Sequence, residues 1–221
     1  MRRLGRVNKK WSAKLAYAIG IIASDGNLSP DGRHINVTSK DEEIVLLAKK
    51  CLKINNKIGR KARGGSKEKK YYVLQFGDIS FYEFLLKIGL TPAKSKTISK
   101  LNIPRKFIAS FFRGCLDGDG NIDVFYHPES LRPQLRIRYF SASKKFLEWI
   151  KKELYFNLKL KGGWINSTKT NDMHVLVFGK QETIKILKFL YHDRSRFWLK
   201  RKYNLARPFL GAWRNWHTRS A

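Results

Sequence analysis

The sequence predicts an α+β protein built from two similar halves. Residues 15–27 (LAYAIGIIASDGN) align without a gap on residues 109–121 (ASFFRGCLDGDGN), so that Asp25 meets Asp119. Each copy is followed by the same order of hairpin, helix, hairpin and helix. Because these hairpins stand on either side of a helix, we expect antiparallel sheets with helices packed on one face.

The first half begins with the helix of the first copy. The segment HINVTSKDEEIVLLAKKCLKI then passes from an alternating strand pattern into a helix, for which Ser39 is the expected N-cap and Glu42 completes a capping box. KIGRKAR and YYVLQFG read as two strands around a glycine-rich turn at residues 64–66. The segment ISFYEFLLKIGL has helical spacing and closes this half.

The second half repeats this order after its own motif helix. QLRIRYFSAS reads as a strand, KKFLEWIKKELYF as a helix, LKLKGGWIN and MHVLVFG as strands, and QETIKILKFLYH as a helix. The proline-bounded stretch TPAKSKTISKLNIP reads as the connection between the halves. The predicted boundaries are a first half at residues 1–90, a linker at 91–103, a second half at 104–209 and a tail at 210–221.

The composition indicates a polyanionic partner. Lysine and arginine number 46 against 17 aspartates and glutamates, which gives a net charge of +29 at pH 7. Hydrophobic residues still make up 43% of the chain, so the basic residues decorate a folded core and do not form a disordered tail. Nucleic acid fits this excess of charge better than an anionic membrane surface does.

Several classes of protein are disfavoured by what the sequence lacks. No apolar run approaches the ~18 residues of a membrane-spanning helix, and no signal sequence follows Met1. Cys51 and Cys115 lie in apolar helical patterns, which favours buried free thiols in a reducing compartment, and the five histidines show no zinc-ligand spacing. We therefore expect a soluble protein of the prokaryotic cytoplasm, associated with the nucleoid, or of an organelle.

The acidic end of each motif predicts a cation site. Small residues four apart, Gly20 with Ser24 and Gly114 with Gly118, make a flat strip on each helix, and we expect the two strips to face each other. Asp25 and Asp119 would then lie side by side at helix C-termini, which already carry partial negative charge. Such an oxygen-rich, partly open site suits Mg²⁺, or Mn²⁺ in its place, and these ions support phosphodiester hydrolysis.

The motifs IGIIASDG and RGCLDGDG resemble the paired motifs of the LAGLIDADG homing endonucleases, in the single-chain, two-motif form. The resemblance covers roughly residues 11–209. It implies a pseudo-symmetric monomer of two αββαββα repeats, with the motif helices at the central interface and curved sheets forming a saddle along the DNA major groove. It also implies an enzyme that uses divalent metal to cut both strands across the minor groove, leaving short 3′ overhangs. We expect the gene to be intron-encoded or free-standing.

The resemblance assigns roles to particular residues. Asp25 and Asp119 are the implied catalytic metal ligands, with the carbonyl groups of Ser24 and Gly118 as further ligands. Asp117 has an alanine as its counterpart in the first motif, and we interpret it as a solvated residue at the helix end and not as a ligand.

A lysine near the scissile phosphate is a further feature that the resemblance implies. The segments AKSK, at residues 93–96, and LKRK, at residues 199–202, place a Lys-x-Lys pattern after each half. We select Lys94 and Lys200 as the candidates. Either would polarise water or stabilise charge on the phosphate, or would act only as a phosphate clamp.

Side chains of the predicted strands are the candidates for recognising the DNA sequence. Alternation in QLRIRY points Gln134, Arg136 and Arg138 out of one face, and such side chains can make bidentate contacts to guanine and adenine edges. A solvated sheet face is the alternative. The counterparts in the first half are Arg33, Asn36, Thr38, Lys61, Arg63, Tyr71 and Gln75. Near a hairpin of the second half, the candidates for flanking contacts are Trp164, Asn166 and Lys169.

The sequence therefore predicts a monomeric, metal-dependent endonuclease acting on a long, asymmetric double-stranded DNA site. Two alternatives stay open within the same fold: an RNA maturase that assists splicing of its own intron, and a non-catalytic DNA-binding regulator. The ending GAWRNWHTRSA has no hydrophobic period, and its tryptophans either stack on nucleic acid or have no role.

Overall fold

The computed structural model describes residues 6–62, 67–126, 133–168, 172–192 and 197–210. The first half holds three helices and four strands: α1 (Ala13–Asp25), β1 (Gly26–Leu28), β2 (His34–Ser39), α2 (Glu42–Leu52), β3 (Ile58–Lys61), β4 (Tyr71–Gly77) and α3 (Ile79–Lys87). The second half opens with a 3-10 turn (Arg105–Phe107) and continues with α4 (Ile108–Asp119), β5 (Gly120–Tyr126), β6 (Pro133–Ser141), α5 (Lys144–Leu158), β7 (Trp164–Ser167), β8 (His174–Phe178), α6 (Lys180–Leu190) and α7 (Lys200–Leu210).

This order confirms the predicted α+β fold of two αββαββα repeats. Each repeat forms one four-stranded antiparallel sheet, with strand orders β1-β2-β4-β3 and β5-β6-β8-β7. Helix α7 follows the second repeat and was not predicted as a separate element. The boundaries drawn at residues 90, 103 and 209 stay predictions.

The two motif helices pack directly on each other at the centre of the molecule. A Cβ atom built on Gly20 would lie 2.9 Å from the backbone nitrogen of Cys115 and still closer to the carbonyl oxygen of Phe111. The reverse holds for Gly114, where a Cβ would lie 3.0 Å from the backbone nitrogen of Ile21. The backbones therefore touch, and the small residues are what permits this approach.

Each sheet turns one face toward the helices. In β2 and β4, Ile35, Val37, Leu74 and Phe76 are buried, and the residues between them are more exposed. In the second sheet, β6 shows the same alternation, with Leu135 and Ile137 buried, whereas Leu176, Val177 and Phe178 at the end of β8 are all buried. The inner faces of both sheets pack with α1 and α4 in one hydrophobic core. The outer faces are therefore the ones accessible to a binding partner.

One helix end differs from the sequence prediction. Helix α2 is capped by Asp41, whose side chain accepts a hydrogen bond from the backbone of Glu43, and not by Ser39. Gly26 and Gly120 directly follow the two motif helices and have extended backbone conformations. A larger residue does not fit at Gly26, because a Cβ there would lie 2.6 Å from backbone atoms of Ile22.

Cys51 and Cys115 are both buried free thiols, as expected. Among the described residues, no helix is both long and apolar enough to cross a membrane.

Candidate active site and nucleic-acid interface

The C-terminal ends of α1 and α4 open into one polar cavity. Asp25 and Asp119 are the last residues of their helices and both line this cavity, which has a volume of about 460 Å³. Asp25 is half-buried and Asp119 is exposed, so neither carboxyl is sealed in the core. Gly118 allows the two ends to come together, since a Cβ there would lie 2.9 Å from the Cβ atom of Ser24. The cavity is lined by Ser24, Asp25, Gly26, Asn27, Asn36, Thr38, Lys61, Lys94, Ser95 and Asp119.

Lys94 enters the cavity from the loop after the first repeat. Its side chain is 5% exposed, and its Nζ atom lies 3.5 Å from the carbonyl oxygen of Ser24. Burial lowers the pKa of Lys94, and the nearby carboxylates of Asp119 and Asp25 oppose that shift. The structure thus brings this predicted lysine to both predicted aspartates.

Lys200, the second predicted lysine, does not line this cavity. It is exposed at the start of α7, where its backbone nitrogen faces Glu43 of α2. Lys202 takes the inward position instead and is 1% exposed. Its Nζ atom donates to the carbonyl oxygens of Leu116 at 2.5 Å, Asp117 at 2.8 Å and Gly120 at 2.7 Å, and lies 3.5 Å from that of Gly118.

The reason is helical geometry. On α7 the buried face is formed by Lys202 and Ala206, which are four residues apart, and this face excludes Lys200. That spacing was the signal in the sequence that could have identified Lys202. Burial lowers the pKa of Lys202 to about 8, although the Asp117 carboxylate partly offsets this effect.

Asp117 is also placed differently from its predicted solvated position. It is 1% exposed, and its Oδ2 atom accepts hydrogen bonds from the Tyr17 hydroxyl at 2.7 Å and the Leu199 backbone nitrogen at 2.9 Å. Burial raises the pKa of Asp117 to about 6, and the charge of Lys202 counteracts this. Asp117 therefore joins α1, α4 and the segment entering α7, and it does not line the cavity.

The donor set at the cavity fits a hard divalent cation. The described residues contain no cluster of three or more histidine, cysteine, aspartate or glutamate side chains. What the cavity offers is two carboxylates, those of Asp25 and Asp119, with Ser24 also in its lining. Gly118 does not line the cavity, and its carbonyl oxygen lies 3.5 Å from the Nζ atom of Lys202. Oxygen ligands of this kind, with room left for water, are what Mg²⁺ and Mn²⁺ accept.

The outer face of the first sheet continues from this cavity. Asn36 pairs with Gln75 across β2 and β4, and Lys61 pairs with Tyr71 across β3 and β4, which places all four on the outer face. Thr38 shares that face because it is two residues from Asn36. Arg33 precedes β2 and its guanidinium lies beside Gly77 at the end of the sheet.

The second sheet carries more charge on its outer face. Gln134, Arg136 and Arg138 alternate with the buried positions of β6, and Trp164 and Asn166 of β7 share their face through the pairing with β8. Arg138 forms an ion pair with Asp123 of β5 at 2.7 Å, and Arg136 stacks over Phe125.

Asp123 was missed in the sequence analysis, although alternation in GNIDVFY places it opposite Arg136 on this face. Arg63, Lys169 and the tail with its tryptophans lie outside the described residues.

Comparisons with solved structures show which proteins share this fold. Mesophilic variants of the homing endonuclease I-DmoI match with a TM-score of 0.55 and 17% identity, over 82% of this chain and 97% of that one. Meganuclease I-SmaMI bound to uncleavable DNA matches with a TM-score of 0.56 and 12% identity, over 90% and 91%. Full-length DUF199/WhiA from Thermatoga maritima matches with a TM-score of 0.53 and 16% identity, over 89% of this chain and 61% of that one.

These similarities confirm, at the level of fold, the resemblance that the two motifs indicated. No protein-family profile and no curated protein sequence matches the chain. At such low identity the shared property is the fold, so function has to be argued from the site itself.

Proposed function

We propose that the protein is a divalent-metal-dependent endonuclease that cuts both strands of a long, asymmetric double-stranded DNA site. The observation that carries this proposal is the meeting of Asp25, Asp119 and Lys94 in one polar cavity that is continuous with the outer face of a sheet. A site for DNA hydrolysis needs a place for the scissile phosphate next to a surface that holds the duplex, and this cavity adjoins such a surface.

The residues divide the chemical work in a simple way. Asp25 and Asp119, with the Ser24 and Gly118 carbonyl groups, would hold Mg²⁺ or Mn²⁺. The bound cation would lower the pKa of a coordinated water and stabilise charge on the phosphate. Lys94 is placed to donate to a phosphate oxygen as negative charge develops on it, and its partly buried ammonium acts at a lower local dielectric than bulk water.

DNA binding is assigned to the two outer faces. Arg136, Gln134, Asn36 and Gln75 have the side chains that read base edges in the major groove, and Lys61 suits a phosphate. The two faces differ in character, since the first is rich in amides and hydroxyls whereas the second carries two arginines and Asp123. Unequal faces favour an asymmetric target. Structural neighbours support DNA as the partner, because I-DmoI was solved in complex with DNA and Mn.

The decisive experiment uses the wild-type protein and the Asp25→Asn/Asp119→Asn double variant. Each protein is incubated with Mg²⁺ and with DNA of the locus into which its gene is inserted, in the form that lacks the insertion. The ends of the DNA products are then mapped. We expect discrete staggered breaks for the wild type. Because each substitution removes a charged metal ligand, the double variant should lose cleavage by at least about 100-fold. It should keep its affinity for DNA, since phosphate contacts supply most of that affinity.

Other outcomes of this experiment would assign the protein to a different functional class. Tight DNA binding without breaks by the wild type would indicate a DNA-binding regulator, and preferential binding of intron RNA would indicate a maturase. Magnesium-dependent cutting that persists in the double variant would remove Asp25 and Asp119 from the mechanism.

A further inference from the structure

The two motif helices end in different environments, although their sequences repeat. At the end of α4, the Lys202 ammonium group donates to the carbonyl oxygens of Leu116, Asp117 and Gly120 at 2.5–2.8 Å. An ammonium group has three N–H donors, so these three bonds use all of them. At the end of α1, the hydrogen bond of Lys94 to the Ser24 carbonyl oxygen is 3.5 Å long, and Lys94 itself lines the cavity.

A buried polar junction fixes Lys202 in place. Asp117 accepts from the Tyr17 hydroxyl of α1 and from the Leu199 backbone nitrogen, three residues before Lys202. All three partners are buried, with Tyr17 and Leu199 at 0% exposure. The junction therefore sets where α7 begins relative to the end of α4, and so sets which carbonyl groups Lys202 reaches.

The first repeat lacks the parts for such a junction. Under the alignment of the motifs, Ala23 stands where the second repeat has Asp117, and Phe111 stands where the first has Tyr17. The carboxylate and the hydroxyl of the junction thus come from one position in each motif and cannot form a second, symmetric pair. The difference between the two helix ends therefore follows from these sequence differences between the motifs.

We propose that Lys202 is a positioning residue for Asp119, held by Asp117 and Tyr17, and that Lys94 is the lysine that contacts the substrate. Lys202 fixes the carbonyl groups of Asp117 and Gly120, which lie on either side of Asp119 in the chain, so it sets the direction of the Asp119 carboxylate toward the cation. The two lysines then have different roles, substrate contact for Lys94 and positioning of Asp119 for Lys202, whereas in a symmetric repeat both would have the same role. This inference rests on the proposed metal-dependent activity.

Affinity for Mn²⁺ separates positioning from simple electrostatics. Removing a positive charge beside a cation site should tighten Mn²⁺ binding by Coulomb's law. Removing a residue that orients a ligand should weaken it, by about tenfold or more. For Lys202→Met we therefore expect the affinity of the protein for Mn²⁺ to fall about tenfold. For Lys94→Met we expect it to stay level or rise, while DNA cleavage is lost.

Binding is measured on the protein without DNA, from the electron paramagnetic resonance signal of free Mn²⁺. Tyr17→Phe is the second variant, because it removes one hydrogen bond to Asp117 without changing charge and keeps the test open if Lys202→Met does not fold. It should weaken Mn²⁺ binding by a few-fold. Tyr155→Phe is the matched control: its hydroxyl donates to the Gly162 carbonyl at 2.9 Å, in a contact of α5 that involves neither motif helix nor α7, and its loss should leave Mn²⁺ affinity unchanged.

The results distinguish the two proposals. Unchanged or tighter Mn²⁺ binding by folded Lys202→Met and Tyr17→Phe, in a protein whose wild type binds Mn²⁺ and cuts DNA, would overturn the positioning role alone. A wild-type protein that neither binds Mn²⁺ nor cuts DNA would overturn both proposals together.

Discussion

At the scale of single residues, the buried polar groups are tied to chain positions far away in sequence. Asp78 illustrates this, since its carboxylate caps α3 by accepting from the Phe81 backbone at 2.9 Å. The same side chain accepts from the backbone nitrogens of Arg6 at 2.6 Å and Val7 at 2.9 Å. One aspartate therefore both starts a helix and fixes the N-terminal segment to the first sheet.

Replacement of Asp78 by alanine should accordingly cost more than the loss of an ordinary cap. We expect Asp78→Ala to lower the free energy of unfolding by about 2–4 kcal/mol, because it removes a cap and leaves backbone N–H groups without an acceptor. Ser12→Ala is the control, since Ser12 caps α1 through one hydrogen bond to Leu15, and it should cost about 1 kcal/mol. Urea unfolding measures both, and equal losses would contradict the role given to Asp78.

Residue chemistry also explains why part of the site could not be predicted. Asp25 and Asp119 were identifiable because each ends a copy of a repeated motif. The burial of Asp117 was not, because its hydroxyl partner Tyr17 is 100 residues away and nothing local marks a carboxylate as enclosed. Lys200 was chosen over Lys202 because a Lys-x-Lys pattern does not say which lysine faces inward.

At the scale of elements, the contact between α1 and α4 is the one on which the site depends. It was predictable, because small residues spaced four apart appear on both helices and a repeat supplies the symmetry. Helix α7 was not predicted, although most residues of KRKYNLARPFL favour a helix, because the segment has few apolar residues to mark a buried face and has a proline near its end. Its position follows from packing on β5 and α6 and from the hydrogen bonds of Lys202 to carbonyl groups at the end of α4.

The contact between α1 and α4 makes a sharp prediction for Gly20→Ala. The added Cβ would meet backbone atoms of Phe111 and Cys115, and backbone cannot move aside as a flexible side chain can. Overpacking of this kind costs typically about 1–3 kcal/mol, and we expect the upper end or more. Since the helix ends would shift apart, DNA cleavage should fall with stability.

Gly59→Ala provides the control for this substitution. Gly59 lies in β3, and a Cβ there would meet nothing within 4 Å. We expect it to change the free energy of unfolding by less than about 0.5 kcal/mol. If Gly20→Ala proved as well tolerated in urea unfolding, the close approach of the two backbones would be wrong.

At the scale of the whole molecule, the two halves share a fold but not a surface. The inner faces match closely, with buried aliphatic and aromatic residues at corresponding strand positions. The outer faces diverge, and among the described residues an ion pair between strands is found on the second face and not on the first. The shared core gives both halves the same backbone, while the outer residues are free to differ. Unequal outer faces on equal backbones suit a partner whose two halves differ.

The net charge of +29 gives the last prediction. A protein that neutralises 6–10 phosphates loses roughly 10³–10⁵ in affinity between 50 and 200 mM salt, because bound counterions are released from the DNA. We expect a loss in this range, measured by fluorescence anisotropy with a labelled duplex at several KCl concentrations.

Lys61→Ala, on the outer face of the first sheet, should reduce the slope of log affinity against log salt by about one. Lys50→Ala, on the far side of α2, should leave it unchanged. Equal effects of the two substitutions would show that the charge acts as a diffuse field and that the sheet face is not the docking surface.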